Sequence, residues 1–411
     1  MRRWKGKTFT FFLLCLSLLF LLTAPPLLSR KLEEQRSEDL FEMEKPEWTG
    51  VITLWDIPYV QTGKGNAVRW LAGYISRFEK KYPGVFIDVR TLTTERLAMY
   101  LQGAEYQDFL PDMVSLGIYE QPVPEELLMD LLPSFQPEEL AGMYDIAVER
   151  VMSGDRMIGV PWMMGSYGLA VKEEAFSDTD PASVPEILDY EALDALARKM
   201  SFQKKSGRKM TDYYGFCSYT GCNRPLLSMI YGEDGKITDN AGHALLAGWK
   251  EGDGILPPDL AGLSYSQAFR LFAVEKRAGV LLGSSRMIYD LRNLQQSGKG
   301  LEYRIFPVPM KEGGKWYQDQ IAAYGILDHG SPEKTQLCTL FLKGLLEEEV
   351  QMQLTDLGLF SVMEAYTLYG EDEEMKILES ALTQMAAGPF GEDRDRINTF
   401  WERWAAPDPA D

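Results

Sequence analysis

Val51-Ile52-Thr53-Leu54-Trp55-Asp56 reads as a buried β-strand, and its length and punctuation decide the fold class. Four apolar or β-favouring residues precede Trp55, Gly50 stands before the run and Pro58 closes it, a pattern suited to a core strand and too short for a helix. Downstream, Gln61 to Gly65 is a Gly-containing loop. Asn66 then caps a helix that carries Leu71, Ile75, Phe78 and Tyr82 on one face and ends at Pro83-Gly84. Val85 to Val89 alternates as a second strand, Thr94 to Gln107 is a second helix, and Pro111 to Leu116 a third strand. Strand, helix, strand, helix, strand within about seventy residues implies a parallel sheet joined by crossover helices. In such sheets ligands lie beyond the carboxyl ends of the strands, which makes Trp55, Asp56 and Tyr59 candidate site residues.

The remaining chain bounds what that sheet belongs to. At 411 residues and 45% hydrophobic, it can bury a large core, and two lobes are expected rather than one. A formal charge of -19 argues against a nucleic-acid partner, and no cluster of Lys and Arg suited to phosphate stands out. Residues 1–31 read as a signal or signal-anchor segment: a basic start, then Thr8 to Ser29 without any charge and dense in Phe and Leu. Four cations precede that run and two follow it, which favours the amino end inside and the body outside the membrane. Residues 32–49 are charged, have no sustained apolar period and read as a tether.

Cysteine usage fits an oxidising compartment. Cys217 and Cys222 stand close enough for a small-loop disulfide, with a pair of free thiols as the alternative, and Cys338 lies in an apolar helical stretch. His243 and His329 are the only two histidines, so a metal centre built on the Cys pair lacks partners, and no cofactor is expected. Enzyme signatures are also missing. Gly165-Ser166-Tyr167-Gly168 and Gly283-Ser284-Ser285-Arg286 have the wrong spacing for a nucleophile elbow, and no phosphate-binding Gly-Lys loop occurs.

The second half continues in α/β style. A helical stretch is expected within Pro133 to Val151, a short strand at Gly168 to Val171, and an amphipathic helix over Val184 to Met200. Pro225 to Tyr231 is apolar, Tyr265 to Ala278 reads as a helix, and Gly279 to Gly283 as a strand that delivers Ser284, Ser285 and Arg286. Trp401 and Trp404 suit a last helix packed on the body.

The succession "ITLWD", "FEKKYPGVFIDV", "PDMVSLG", "GDRMIGVPWMMGSYGLAVKEEAF", "FAVEKRAGVLLGSS", "YRIFPVP" and "PEKTQLCTLFLKGLLEEEVQMQL" resembles the extracellular solute-binding proteins of ABC importers, the sugar-binding family that includes maltose-binding protein. The resemblance covers roughly Gly50 to the end. It implies an α/β, two-lobed, periplasmic-binding-protein-like fold with parallel-type sheets flanked by helices and a ligand cleft between the lobes. Segment matching sets lobe 1 at 50–118 and 317–358 and lobe 2 at 119–316 and 359–411. It implies a small polar ligand, expected to be a sugar or oligosaccharide, an ABC permease as partner, attachment to the membrane through the N-terminal segment, and a monomer.

Sugar binding needs aromatic faces for the ring and carboxylates, amides or Arg for its hydroxyls. The matched strand ends supply Trp55, Asp56, Tyr59, Tyr119 and Glu120 from the first lobe. From the second they supply Trp162, Gly165, Tyr219, Arg224, Ser284, Ser285 and Arg286. Two departures weigh against an α-glucan. Relatives that bind maltose-type sugars carry an acidic residue where this chain has Gly165, and many sugar-binding relatives carry Trp where it has Ser284-Ser285. A ligand-sensing ectodomain fits the same fold, and a cell-surface glycan hydrolase is the enzymatic alternative.

Overall fold

The computed structural model describes residues 47–58, 66–103, 109–118, 122–180, 183–219, 241–251, 254–309, 316–318, 320–328 and 330–387. The chain divides into the units Met1–Trp48 and Thr49–Asp411, and every element below belongs to the second. The leader, the tether, Pro225 to Tyr231, His329 and the C-terminal tryptophans lie outside the described residues. Among the described residues no helix is long and apolar enough to cross a membrane.

The opening strand is β1 (Gly50–Asp56), with Ile52 and Leu54 fully buried. Asn66 caps α1 (Ala67–Lys81) as expected, its side-chain oxygen accepting from the amides of Val68 and Arg69. β2 (Val85–Thr91), α2 (Thr94–Gln102) and β3 (Met113–Ser115) follow in the order the sequence implies. Asp112, just before β3, ties this region together. One carboxylate oxygen accepts from both the amide and hydroxyl of Thr53, and the other pairs with Lys334 at 2.6 Å.

The stretch expected to hold one helix contains two, α3 (Pro137–Ala141) and α4 (Asp145–Val151), separated at Gly142. A small hairpin, β4 (Met152–Ser153) and β5 (Arg156–Met157), leads into β6 (Val160–Met164) and β7 (Tyr167–Lys172). Then come α5 (Tyr190–Met200), the hairpin β8 (Phe202–Ser206) and β9 (Lys209–Cys217), and α6 (Ala241–Glu251). The helix expected over Tyr265 to Ala278 is short: α7 (Tyr265–Phe269) loosens into a π turn over Arg270–Val274. β10 (Ala278–Ser284), α8 (Arg286–Gln296), β11 (Tyr303–Pro307), β12 (Trp316–Gln318) and β13 (Ile321–Ile326) complete the middle. α9 (Pro332–Gly344), α10 (Glu348–Met352), α11 (Glu373–Ser380) and β14 (Met385–Ala387) close the described chain.

Two five-stranded sheets carry the two lobes, one ordered β2-β1-β3-β13-β6 and the other β11-β7-β10-β9-β8. Both are mixed rather than parallel-type. β1 runs parallel to β2 and β3, but β13 returns from the other sheet and pairs antiparallel with β3 and β6. An antiparallel neighbour needs no crossover helix, so a returning strand can join the edge directly. β6, which the sequence reading assigns to the second lobe, extends the first sheet along β13. The chain therefore changes sheets between Met164 and Tyr167, then between Pro307 and Ile321. It changes a third time before α11, which packs against β11.

Cys217 closes β9 against β10, fully buried, with its thiol near the Ala268 carbonyl. It is a free thiol, and burial pushes its ionisation far above the ordinary range. Cys222, the partner expected from sequence, lies outside the described residues. Cys338 is likewise free and buried in α9.

Candidate functional site

The carboxyl end of β1 delivers Trp55 and Asp56 side by side, at 4% and 7% exposure. Trp55 lies against Tyr100 of α2, ring centroids 5.7 Å apart and tilted by 60°. Asp56 accepts a 2.8 Å hydrogen bond from the Tyr324 hydroxyl on β13. Loss of water raises the Asp56 carboxyl above its ordinary 3.8, and the Tyr324 hydrogen bond only partly offsets this. The hydroxyl of Tyr324 is pushed upward by burial and by the adjacent carboxylate, so it stays a proton donor.

Tyr324 begins an aromatic stack. Trp162 on β6 is parallel to it within 4°, centroids 5.8 Å apart, and stacks on Trp70 of α1 at 4.8 Å and 18°. Trp70 in turn stacks on Tyr74. Trp162 is only 5% exposed, so in this conformation its rings face protein. Gln351 of α10 fixes the strand beneath it. Its amide nitrogen donates to the carbonyls of Trp162 and Leu345, and its oxygen accepts from the Ser361 hydroxyl and the Val362 amide. Four partners of the right polarity leave this buried amide fully satisfied.

The second sheet presents a different cluster. Tyr219, just past β9, is edge-on to Tyr265 with centroids 5.1 Å apart, and its hydroxyl lies 3.3 Å from the Ser284 amide and 3.4 Å from the Ser284 hydroxyl. Arg286 sits over the Tyr265 ring at 4.5 Å and reaches Asp290 at 3.3 Å, while the Tyr265 hydroxyl donates to the same carboxylate. Tyr219, Tyr265, Arg286 and Asp290 are only half-buried. An aromatic face, a guanidinium and a carboxylate thus converge on accessible ground, the group types that recognise a polyhydroxylated ring.

Gly165 and Ser285 occupy the junction between the sheets. The Gly165 amide donates to the Gln320 carbonyl at 2.7 Å, and the Ser285 amide donates to Ser166 at 2.9 Å. The Ser285 hydroxyl donates to the Gly358 carbonyl at 2.9 Å. A Cβ at position 165 would stand 2.0 Å from Gln320 Oε1, so the two crossings approach this closely only because residue 165 is glycine. Gly358, with φ +69°, reverses the chain in the left-handed region next to this contact. A longer side chain at position 165 has no room unless Gln320 moves.

Of the residues singled out from sequence, Trp55 and Asp56 come together on the first sheet, and Tyr219, Ser284 and Arg286 on the second. Trp162 joins the first group through Tyr324. Tyr59, Tyr119, Glu120 and Arg224 lie outside the described residues. Tyr324, Trp70, Tyr100, Tyr265 and Asp290 were not anticipated. Tyr265 and Asp290 sit on helix faces whose spacing reads simply as core or solvent, and Tyr324 pairs with a residue 268 positions away.

A cyclic α-maltosyl-1,6-maltose binding protein from Arthrobacter globiformis is similar, with TM-score 0.65, 14% identity, and 87% of this chain and 93% of that one covered. MalE from Xanthomonas citri gives TM-score 0.64 at 16% identity, covering 87% and 92%. Maltose-bound MalE3 from T. maritima gives 0.59 at 18%, covering 86% and 93%. The fold is the two-lobed periplasmic-binding-protein fold. No protein-family model and no curated protein matches the sequence. Against this fold, the Gly165–Gln320 and Ser285–Gly358 contacts fall where the chain passes between the lobes.

Proposed function

We propose that this chain is an extracytoplasmic solute-binding protein that captures a small polar ligand, a sugar or oligosaccharide, and hands it to an ABC permease. The reading rests above all on one observation: each lobe carries its own aromatic and polar cluster, and the chain crossings at Gly165, Gln320 and Gly358 join the two. Trp55, Asp56 and Tyr324 form the first jaw, Tyr219, Tyr265 and Arg286 the second, and Tyr59, Tyr119, Glu120 and Arg224 are candidates to complete them. The similar structures are named for the maltose-type and cyclic maltosyl sugars they bind, which supports a carbohydrate. Gly165 and Ser284 argue for a ring other than linear α-glucan.

The mechanism is closure without a covalent step. Ligand makes contacts with both jaws only when the lobes are together, so it shifts the population toward the closed arrangement. The leader and tether hold the body outside the cytoplasmic membrane, next to its permease. A thermal-shift screen over a sugar library tests the proposal. A true ligand at ~100 times its dissociation constant stabilises the native state by about 2.7 kcal/mol. A flat response to every mono- and oligosaccharide, or turnover of any of them, overturns it.

A further inference from the structure

Residues 198–211 contain six Lys and Arg and no acidic residue, in a chain whose net charge is -19. The overall charge conceals this cluster, and the expectation that no such cluster exists is corrected by its position. It occupies the end of α5 and the β8–β9 hairpin, and β8 is the outermost strand of the second sheet with all five residues exposed. The two cations nearest the body are neutralised, Arg198 by Asp194 and Lys199 by Asp178. The four at the tip, Lys204, Lys205, Arg208 and Lys209, make no ion pair among the described residues.

The same hairpin exposes apolar groups. Phe202 is 47% exposed and stacks on its cross-strand partner Tyr213 at 4.5 Å and 10°, and Met210 is 49% exposed opposite Lys205. Side chains alternate across a strand, so Phe202 shares a face with Lys204 and Lys209, and Met210 shares the other with Lys205. One face thus pairs two cations with Phe202 and the other pairs Lys205 with Met210. A soluble polyanion uses the cations and leaves Phe202 and Met210 in water. An anionic bilayer uses both, with ammonium and guanidinium groups at the phosphates and the apolar groups just below them.

We propose that the β8–β9 hairpin docks this protein on an anionic phospholipid surface. The rest of the acidic body is repelled by such a surface within a Debye length of about 8 Å, so the hairpin sets which way the body faces. A tether of 18 residues at positions 32–49 spans at most ~60 Å when extended from the apolar leader. One apolar segment and one basic patch are the two signals that together give stable surface attachment.

The test uses the full-length chain reconstituted in nanodiscs of phosphatidylcholine with or without phosphatidylglycerol, read by hydrogen exchange of residues 202–211. The expected result is about tenfold slower exchange there in the anionic discs only, reversed by raised salt. Lys204→Glu with Arg208→Glu abolishes the protection while leaving the melting temperature and any sugar-induced shift unchanged, which separates this proposal from the transport reading. Phe202→Ser with Met210→Ser weakens it at constant charge. Equal exchange in both discs, protection that survives charge reversal, or the same protection from soluble polyphosphate without a bilayer overturns the proposal.

Discussion

The two clusters proposed as jaws are built from the same kinds of residue and differ in how they are held. On the first sheet, Trp55, Asp56, Trp162 and Tyr324 are buried, Trp162 stacks on Tyr324, the Tyr324 hydroxyl holds Asp56, and Gln351 holds the Trp162 carbonyl. On the second, Tyr219, Tyr265, Arg286 and Asp290 are half-buried and held by one another. Rigid groups lose little freedom on binding, and adjustable ones can re-form around different partners. The first jaw is therefore expected to set affinity and stability together, and the second to set which ligand is accepted.

The largest expected break of that contrast is Trp162→Ala. Removing a buried indole from the stack lowers the unfolding free energy by about 4 kcal/mol, measured by denaturant titration. Tyr265→Ala on the second jaw is expected to cost less than half as much, about 1.5 kcal/mol, because its ring is already partly wet. Equal losses at the two positions remove the distinction. Next comes Gly165→Ala, which forces Gln320 aside and is expected to cost about 2 kcal/mol while weakening ligand-driven closure.

Asp56→Asn acts in the opposite direction. The folded state holds the Asp56 proton more tightly than the unfolded chain does, so its contribution to stability grows as pH falls from neutrality through the raised value and is complete below the ordinary 3.8. The amide removes this pH dependence and raises stability at neutral pH by about 1 kcal/mol, while sugar affinity falls. Thermal melts across that pH range, with calorimetry on the best sugar from the screen, check both signs. The smallest effect is expected for Arg286→Ala: under about 1 kcal/mol in stability, since its ion pair with Asp290 is partly solvated, but at least tenfold in affinity. An Arg286 variant that unfolds readily and binds normally would reverse the assignment of the jaws.

Much of the scaffold was legible because its signals are local. Val51 to Asp56, Asn66 and Pro83-Gly84 carry strand, cap and stop within a few residues, and the structure places β1, α1 and β2 accordingly. Local patterns were misleading where tertiary contacts decide. The β8–β9 hairpin has one strand exposed throughout, so no buried face alternates and no period announces it. β6 contains Pro161, which argues against a strand by itself, but it is the edge strand of its sheet, where proline is tolerated. The site partners were hidden for a related reason: Tyr324, Gln351 and Tyr265 acquire their roles from residues far along the chain, and nothing in their immediate neighbours distinguishes them from core or surface.

The place of β13 in the first sheet also governs how the protein is made. Ser115 of β3 waits for Tyr324, 209 residues later, before its second edge is covered. At a synthesis rate of ~5–20 residues per second, that is about 10–40 s during which β1, β2 and β3 exist without the strand that completes their core. An incomplete sheet with an open edge is prone to pair with another chain. A protein wired this way has a long window in which its first sheet stays incomplete.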